Sequence, residues 1–296
     1  MDKPTIGFIG LGNMGGRMAR RLVDAGHPVL GFDTVPGRAD ACGATPAVSI
    51  AEVARGSRTI LLSLPDSAVV ERVVEGEAGL LSAIEPGQVV VDMSTAAVAS
   101  TRRLSRTMAA RRVAYVDAGI SGGAAAAEKG SLTLMVGGDE AAVRELHPVF
   151  APIATKVVHM GASGAGHATK LLNNFLNAVS LAATAEVMVA GKKAGLDLHL
   201  LLDVLNSSSG VNFATLNRFP RIVDGDYLEG GLTGRLMTKD ILLYIDYVRE
   251  LGVSSLNSSG PLASFGLGTA LGYGEQISNR VVDAIGDVSG GVRLHP

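Results

Sequence analysis

The chain has 296 residues, 47% hydrophobic and 18% charged, with 26 Lys plus Arg balanced by 28 Asp plus Glu. That mixture excludes a disordered or solvating chain, leaves apolar mass for a sizeable core, and argues against a dedicated nucleic-acid or anionic-membrane binder. A single cysteine, Cys42, excludes an intrachain disulfide and a cysteine zinc cage, and no metal site is expected.

The first half alternates short apolar runs with helical stretches. Strands are expected at residues 5–9, 28–32, 59–63, 89–92, 113–117, 132–136 and 156–159, with helices such as 14–25 and 67–74 between them. Near-continuous apolar strands alternating with helices predict an α/β domain, a mostly parallel sheet covered on both faces. The pattern changes at the small-residue joint Gly161-Ala-Ser-Gly-Ala-Gly166. A helix of about 28 residues, roughly 42 Å long, is expected from His167 to about Ala194. Its apolar residues fall on nearly every face, which predicts burial between domains or against another subunit. Further helices are expected at 198–206, 238–251 and 260–273, and no strand beyond residue 160. The expected division is a dinucleotide-binding domain over 1–162 and an all-helical domain over 163–296. No run of about 18 uncharged apolar residues suggests a membrane span. The chain opens directly into a strand-like segment, so a soluble, cytoplasmic protein is expected.

Gly10-Leu11-Gly12-Asn13-Met14-Gly15 has the GxGxxG spacing, with a strand pattern before it and a helix pattern after it. In that setting the first Gly allows a tight turn, the second a close approach to a pyrophosphate, and the third close helix–strand packing. The helix N-terminus offers N–H groups and positive dipole to phosphates. Asp33 ends the second strand, 23 residues after Gly10, where an acid accepts hydrogen bonds from an adenosine ribose. It favours NAD over NADP. Arg38, five residues on, could reach a 2′-phosphate, although a solvated loop cation is the preferred reading, so NADP remains possible.

Lys170 and Asn174 stand four residues apart at the start of the long helix and share a face. An amine among Leu171, Leu172 and Phe175 is a candidate acid/base, because desolvation lowers its pKa. Spacing alone is equally compatible with a lysine snorkelling from a buried helix.

Four ordered blocks carry a more specific signal. They are Gly7 to Met18 with Gly26-His27; Asp117-Ala-Gly-Ile-Ser-Gly-Gly123 leading into Ala127 to Gly138; Gly164-Ala-Gly-His-Ala-Thr-Lys170-Leu-Leu-Asn-Asn174; and Lys239-Asp240. Through them the chain resembles the β-hydroxyacid dehydrogenase family, which includes 3-hydroxyisobutyrate dehydrogenase and tartronate semialdehyde reductase, from residue 5 to about 250. The resemblance implies hydride transfer between a nicotinamide cofactor and a small β-hydroxy acid or its semialdehyde. It implies Lys170 as general acid/base, Ser121, Gly122 and Gly123 as a carboxylate-binding turn, and Asn174 as a substrate-orienting amide. Gly10, Leu11, Gly12, Asn13, Met14 and Asp33 take the nucleotide. Leu64, Pro65 and Thr95 look like nicotinamide-side contacts, Lys239 like a cofactor contact and Asp240 like its support. A homodimer or homotetramer is implied as well.

The sequence departs from the family pattern at Gly119, where Pro is familiar, at Ile120 for Val, at Val98 after Ser-Thr, and at Leu232 where an aromatic is common. These bear on the substrate more than on the chemistry. The stretch Ser207-Ser-Ser-Gly-Val-Asn212 is expected to line the substrate mouth. Alternatives are an imine reductase-like enzyme, which generally lacks this lysine, and a 6-phosphogluconate dehydrogenase, which commonly has His where Asn173 stands. A non-catalytic nucleotide-binding or assembly protein is the third.

Overall fold

The computed structural model describes residues 3–295. The chain divides into two compact units, one ending at Lys170 and the other beginning at Leu171.

The first unit runs β1 (Ile6–Ile9), α1 (Gly15–Asp24), β2 (Val29–Phe32), α2 (Arg38–Ala41), β3 (Thr45–Pro46), α3 (Ile50–Gly56), β4 (Thr59–Leu62), α4 (Ser67–Glu75) and β5 (Val89–Asp92). It continues through α5 (Val98–Ala110), β6 (Ala114–Ser121), α6 (Gly123–Lys129), β7 (Leu132–Gly137), α7 (Glu140–Glu145), α8 (His147–Phe150) and β8 (Ala154–Gly161). The strands form one sheet in the order β3-β2-β1-β4-β5-β6-β7-β8. All pairs are parallel except β6–β7, which is antiparallel and breaks the otherwise uniform direction.

Strands β1 and β5 are buried at every residue because helices cover both faces, which is why they read as unbroken apolar runs. Successive side chains still alternate between faces. In β4, Leu61 joins Phe8, Met18, Leu22 and Val91 in one core, while Ile60 and Leu62 join Val53, Val70, Leu104 and Met108 in the other. Each of the seven expected strands is present. β6 and β8 run longer than expected, and the two-residue β3, exposed at both positions, is an addition.

Helix α9 (Ala165–Lys193) begins in the first unit and continues into the second. The second unit then holds α10 (Leu198–Asn206), α11 (Phe213–Asn217), α12 (Phe219–Ile222), α13 (Gly234–Glu250), α14 (Ser259–Ala270) and α15 (Val281–Val288). Among the described residues the only pairing beyond Gly161 is an isolated bridge between Thr233 and Ile277. Leu181, Ala185, Met188 and Val189 of α9 pack into a core with Phe219, Ile222, Met237, Ile241 and Phe265. Within the single chain α9 is covered on only part of its surface. Leu172, Leu176 and Val187 are 45%, 66% and 43% exposed. They fall at helical spacing and leave one apolar stripe open. No described helix is long and apolar enough to cross a membrane.

Candidate active site

The sheet order reverses at β1, which pairs with β2 on one side and β4 on the other. Loops leaving the carboxyl ends of strands at such a reversal frame a crevice suited to a dinucleotide. The β1–α1 loop carries Gly10 to Met14. Gly10 has φ +90°, and a Cβ there would lie 2.3 Å from the Ser63 carbonyl oxygen. A Cβ at Gly15 would lie 1.9 Å from the Gly10 carbonyl oxygen. The first and third glycines are thus dictated by packing. Gly12 differs, since its Cβ would meet only Arg38 Nη1 at 3.8 Å. That open face is what a pyrophosphate needs, and no side chain caps the start of α1. The turn therefore fits the pyrophosphate of a dinucleotide.

Asp33 organises this turn. Its Oδ2 accepts from Leu11 N at 2.7 Å and its Oδ1 from Val35 N at 2.8 Å. Arg38 Nη1 lies 3.1 Å from Oδ1 and 3.2 Å from Oδ2. Arg38 pairs with the acid while its side chain stays 44% exposed to solvent. The next loops are linked by Leu64 N donating to Ser94 Oγ at 3.0 Å. This holds the segment of Leu64 and Pro65 against the one that carries Thr95.

Beyond β6, Ser121 leads into Gly122 and Gly123, with φ +125° and +67°. Only glycine adopts this pair of angles without strain. The first turn of α9 is fixed by Asp117, a fully buried carboxylate. Its Oδ1 accepts from Gly164 N at 2.7 Å and its Oδ2 from His167 N at 2.8 Å. A carboxylate at a helix N-terminus both caps the chain and meets the positive dipole end. His167, also fully buried, places Nδ1 2.7 Å from Thr101 Oγ1 and Nε2 3.2 Å from the Asp92 carbonyl oxygen. The Asp92 carboxylate accepts from Ser94 N and from the Tyr115 hydroxyl, each at 3.0 Å. Burial first, and then Asp92, push the Tyr115 phenol well above its ordinary pKa.

Lys170 follows one turn after His167 and is 9% exposed. A Cβ at Gly119 would lie 2.6 Å from Lys170 Cβ. The glycine that stands in place of the familiar proline is thus a point of close approach between β6 and the lysine's own turn. Asp117 and His167 were not singled out by sequence reasoning. The available signal was an acid inside a recognised block at the end of an apolar strand.

In the second unit Asn174 Nδ2 donates to Asp240 Oδ2 at 2.5 Å, and both residues are buried. Asp240 Oδ1 lies 3.2 Å from Lys239 Nζ. Phe175, the residue after Asn174, stacks on Tyr244, one turn after Asp240, with ring centroids 3.7 Å apart. Lys239 also lines an open depression of about 340 Å³ with Arg235, Thr238, Leu242, Asp246 and Thr269. Asn212 forms a capping box with Thr215 at the start of α11. Among the described residues, no three His, Cys, Asp or Glu side chains are grouped to hold a metal ion.

Residues 5–161 match the NAD-binding domain of 6-phosphogluconate dehydrogenase. Residues 164–265 match the NAD-binding region of NADP-dependent 3-hydroxyisobutyrate dehydrogenase. The chain is 36% identical to 2-(hydroxymethyl)glutarate dehydrogenase of Eubacterium barkeri over 281 residues, covering 94% of this chain and 93% of that protein. The structure of Mycobacterium tuberculosis 3-hydroxyisobutyrate dehydrogenase with L-serine superimposes with a TM-score of 0.86 at 33% identity, covering 94% of this chain and 98% of that one. An imine reductase from Pseudomonas sp. reaches a TM-score of 0.62 at 23% identity, covering 96% and 99%, a likeness of fold alone. With an NAD-binding sheet domain followed by a helical domain, and with these relatives, the chain belongs to the β-hydroxyacid dehydrogenase family and is a nicotinamide-dependent oxidoreductase.

Proposed function

We propose that the chain interconverts a small β-hydroxy acid and its semialdehyde, with Lys170 as the general acid/base and NAD as the preferred cofactor. The carrying observation is Lys170 itself: a buried amine on a helix turn fixed by Asp117 and packed against Gly119. The bound nicotinamide supplies the hydride acceptor or donor. The Gly10 to Met14 turn and Asp33 hold the nucleotide, with Leu64, Pro65 and Thr95 toward its nicotinamide end and Lys239 as a further contact. Ser121, Gly122 and Gly123 hold the substrate carboxylate, Asn174 orients the substrate and Asp240 steadies Asn174. In the oxidative direction Lys170 Nζ takes the hydroxyl proton, and in reduction it returns a proton to the aldehyde oxygen. Retention of both the lysine and the Ser-Gly-Gly turn argues against a non-catalytic scaffold, and the lysine argues against imine reduction.

Our reading extends to a cytoplasmic homodimer or homotetramer that associates through its helical domain, supported by the open stripe of Leu172, Leu176 and Val187. The decisive experiment is NADH formation across 3-hydroxyisobutyrate, glycerate, threonate, 4-hydroxybutyrate, serine and 2-(hydroxymethyl)glutarate. NAD-dependent turnover of at least one of them is expected. No turnover on any, with nucleotide binding intact, overturns the proposal.

A further inference from the structure

Arg218 stands between α11 and α12, and its surroundings differ from those of every other arginine in the second unit. Arg221 pairs with Asp226, Arg235 with Glu275, Arg249 with Asp246, Arg280 with Asp283 and Arg293 with Asp287. Arg218 donates from Nη1 to Asn279 Oδ1 at 2.8 Å and from Nη2 to Asn177 Oδ1 at 2.9 Å. Among the described residues it has no carboxylate partner. Yet this is a markedly desolvated guanidinium, with burial alone lowering its pKa to about 10. Withdrawing a cation from water without a counter-charge is costly, and proteins ordinarily pair such groups.

The guanidinium is nonetheless held rigidly. Asn279 is 2% exposed and is itself anchored by donating from Nδ2 to the Tyr227 carbonyl oxygen at 2.8 Å. The Phe213 ring centroid lies 5.7 Å from Arg218 Cζ. Neutral amides orient the fork without discharging it. Two of its five N–H donors are used, which leaves donors in the planar geometry that suits a carboxylate. Asn177, which fixes one end of the fork, lies seven residues after Lys170 on α9. Lys170, Asn174 and Asn177 therefore form one stripe of a single helix, about 10 Å long.

We propose that Arg218 recognises a second carboxylate on the substrate, so that the preferred β-hydroxy acid is a short dicarboxylate. This rests on the hydroxy-acid reading above, which leaves the rest of the substrate undefined. Arg218 determines specificity here and takes no part in proton or hydride transfer.

The test compares 3-hydroxyisobutyrate with 2-(hydroxymethyl)glutarate, which carry the same hydroxymethyl and carboxylate groups and differ in a methyl against a carboxyethyl arm. The wild-type kcat/KM is expected to favour the dicarboxylate at least tenfold. Arg218→Gln is expected to shrink that ratio at least tenfold, and Arg218→Lys, which keeps the charge, to shrink it less. Calorimetric binding of glutarate and butyrate to the NADH-loaded protein supplies a readout that needs no turnover, with glutarate at least tenfold tighter and only in the presence of Arg218. A ratio that survives Arg218→Gln, or a wild type without preference, overturns the proposal. So does a variant that changes only the sedimentation behaviour, which would assign the guanidinium to an interface between copies. If glutarate binding depends on Arg218 but no hydroxy acid is oxidised, the anion subsite stands and the hydroxy-acid reading falls. If both acids are oxidised equally, the reading stands and the subsite falls.

Discussion

The two units finish their surfaces differently. Among the described residues, the unit ending at Lys170 leaves three large apolar side chains exposed, Val35, Val48 and Met160, while the unit from Leu171 onward leaves fifteen. The sheet explains the first number: helices cover both faces and every strand residue of β1 and β5 finds a neighbour within the unit. The helices of the second unit enclose a real core around Phe219, Met237 and Phe265, yet Leu172, Leu176, Leu200, Val204 and Phe213 remain outside it. One unit is closed in the single chain, and the other presents apolar surface of the kind that marks interaction sites. The nucleotide turn and Lys170 belong to the closed unit. The amide–acid pair belongs to the open one, as does Arg218, which has amide partners but no carboxylate partner among the described residues.

The largest expected effect tests the closed unit's chemistry. Lys170→Ala is expected to lower turnover by at least about two orders of magnitude, within the usual ~10²–10⁴-fold reach of general acid–base catalysis. NADH titration should change little, because the proposed nucleotide contacts centre on Gly10 to Met14 and Asp33. Lys170→Arg is expected to fail as well, since a guanidinium stays protonated. Near-normal turnover in either variant would move the acid/base role elsewhere, and lost cofactor affinity would make the lysine structural.

The open unit is tested by charge. Replacing both Leu172 and Leu176 with Glu is expected to convert an associated protein to monomers in sedimentation experiments. Each leucine withdrawn from apolar cover forfeits about 1.5–3 kcal/mol. If the double variant sediments like the unmodified chain, the stripe is not an interface and the contrast between the units needs another explanation.

The contrast was only half legible in the sequence. The strands were readable because parallel strands buried on both faces must be apolar throughout, and the GxGxxG because two of its glycines are sterically forced. Strand direction was less readable. β7 reverses relative to β6, but a strand covered on both sides carries the same composition either way. α9 was readable as an apolar helix, but composition does not say which of its faces the same chain covers. Asp117 lay inside a recognised block, yet its role comes from backbone groups 47 and 50 residues away. Arg218 in Leu-Asn-Arg-Phe-Pro looks like any surface cation until Asn177 and Asn279 close on it.

A smaller effect separates positioning from chemistry within the closed unit. Asp117→Asn keeps the size of the side chain but removes one of the two acceptors that serve Gly164 N and His167 N. Leaving a buried N–H without a partner costs about 1–3 kcal/mol. Denaturant unfolding should show a loss of that size. Turnover should fall too, because the turn that carries Lys170 loosens, while NADH affinity holds. Full stability together with full turnover would show that α9 needs no cap from β6.

The smallest expected effect concerns cofactor choice, and it asks whether the closed unit decides that choice by itself. Asp33 does three things: it accepts from Leu11 N, it accepts from Val35 N and it neutralises Arg38. In the proposed nucleotide site its carboxylate would favour free ribose hydroxyls and repel a 2′-phosphate. Asp33→Ala removes the repulsion and releases the guanidinium at the same edge. The ratio of NADP to NAD affinity should therefore rise, by roughly tenfold or about 1.4 kcal/mol. Part of that change is a loss for NAD, since the turn gives up two hydrogen bonds. The double variant Asp33→Ala, Arg38→Ala separates the contributions. If Arg38 supplies the gain for NADP, the double variant loses that gain and keeps the weakened NAD binding. Titration of both nucleotides into all three proteins reads this directly. A double variant that binds NADP as well as the single one would show that removal of the carboxylate's repulsion, rather than the arginine's attraction, sets the preference.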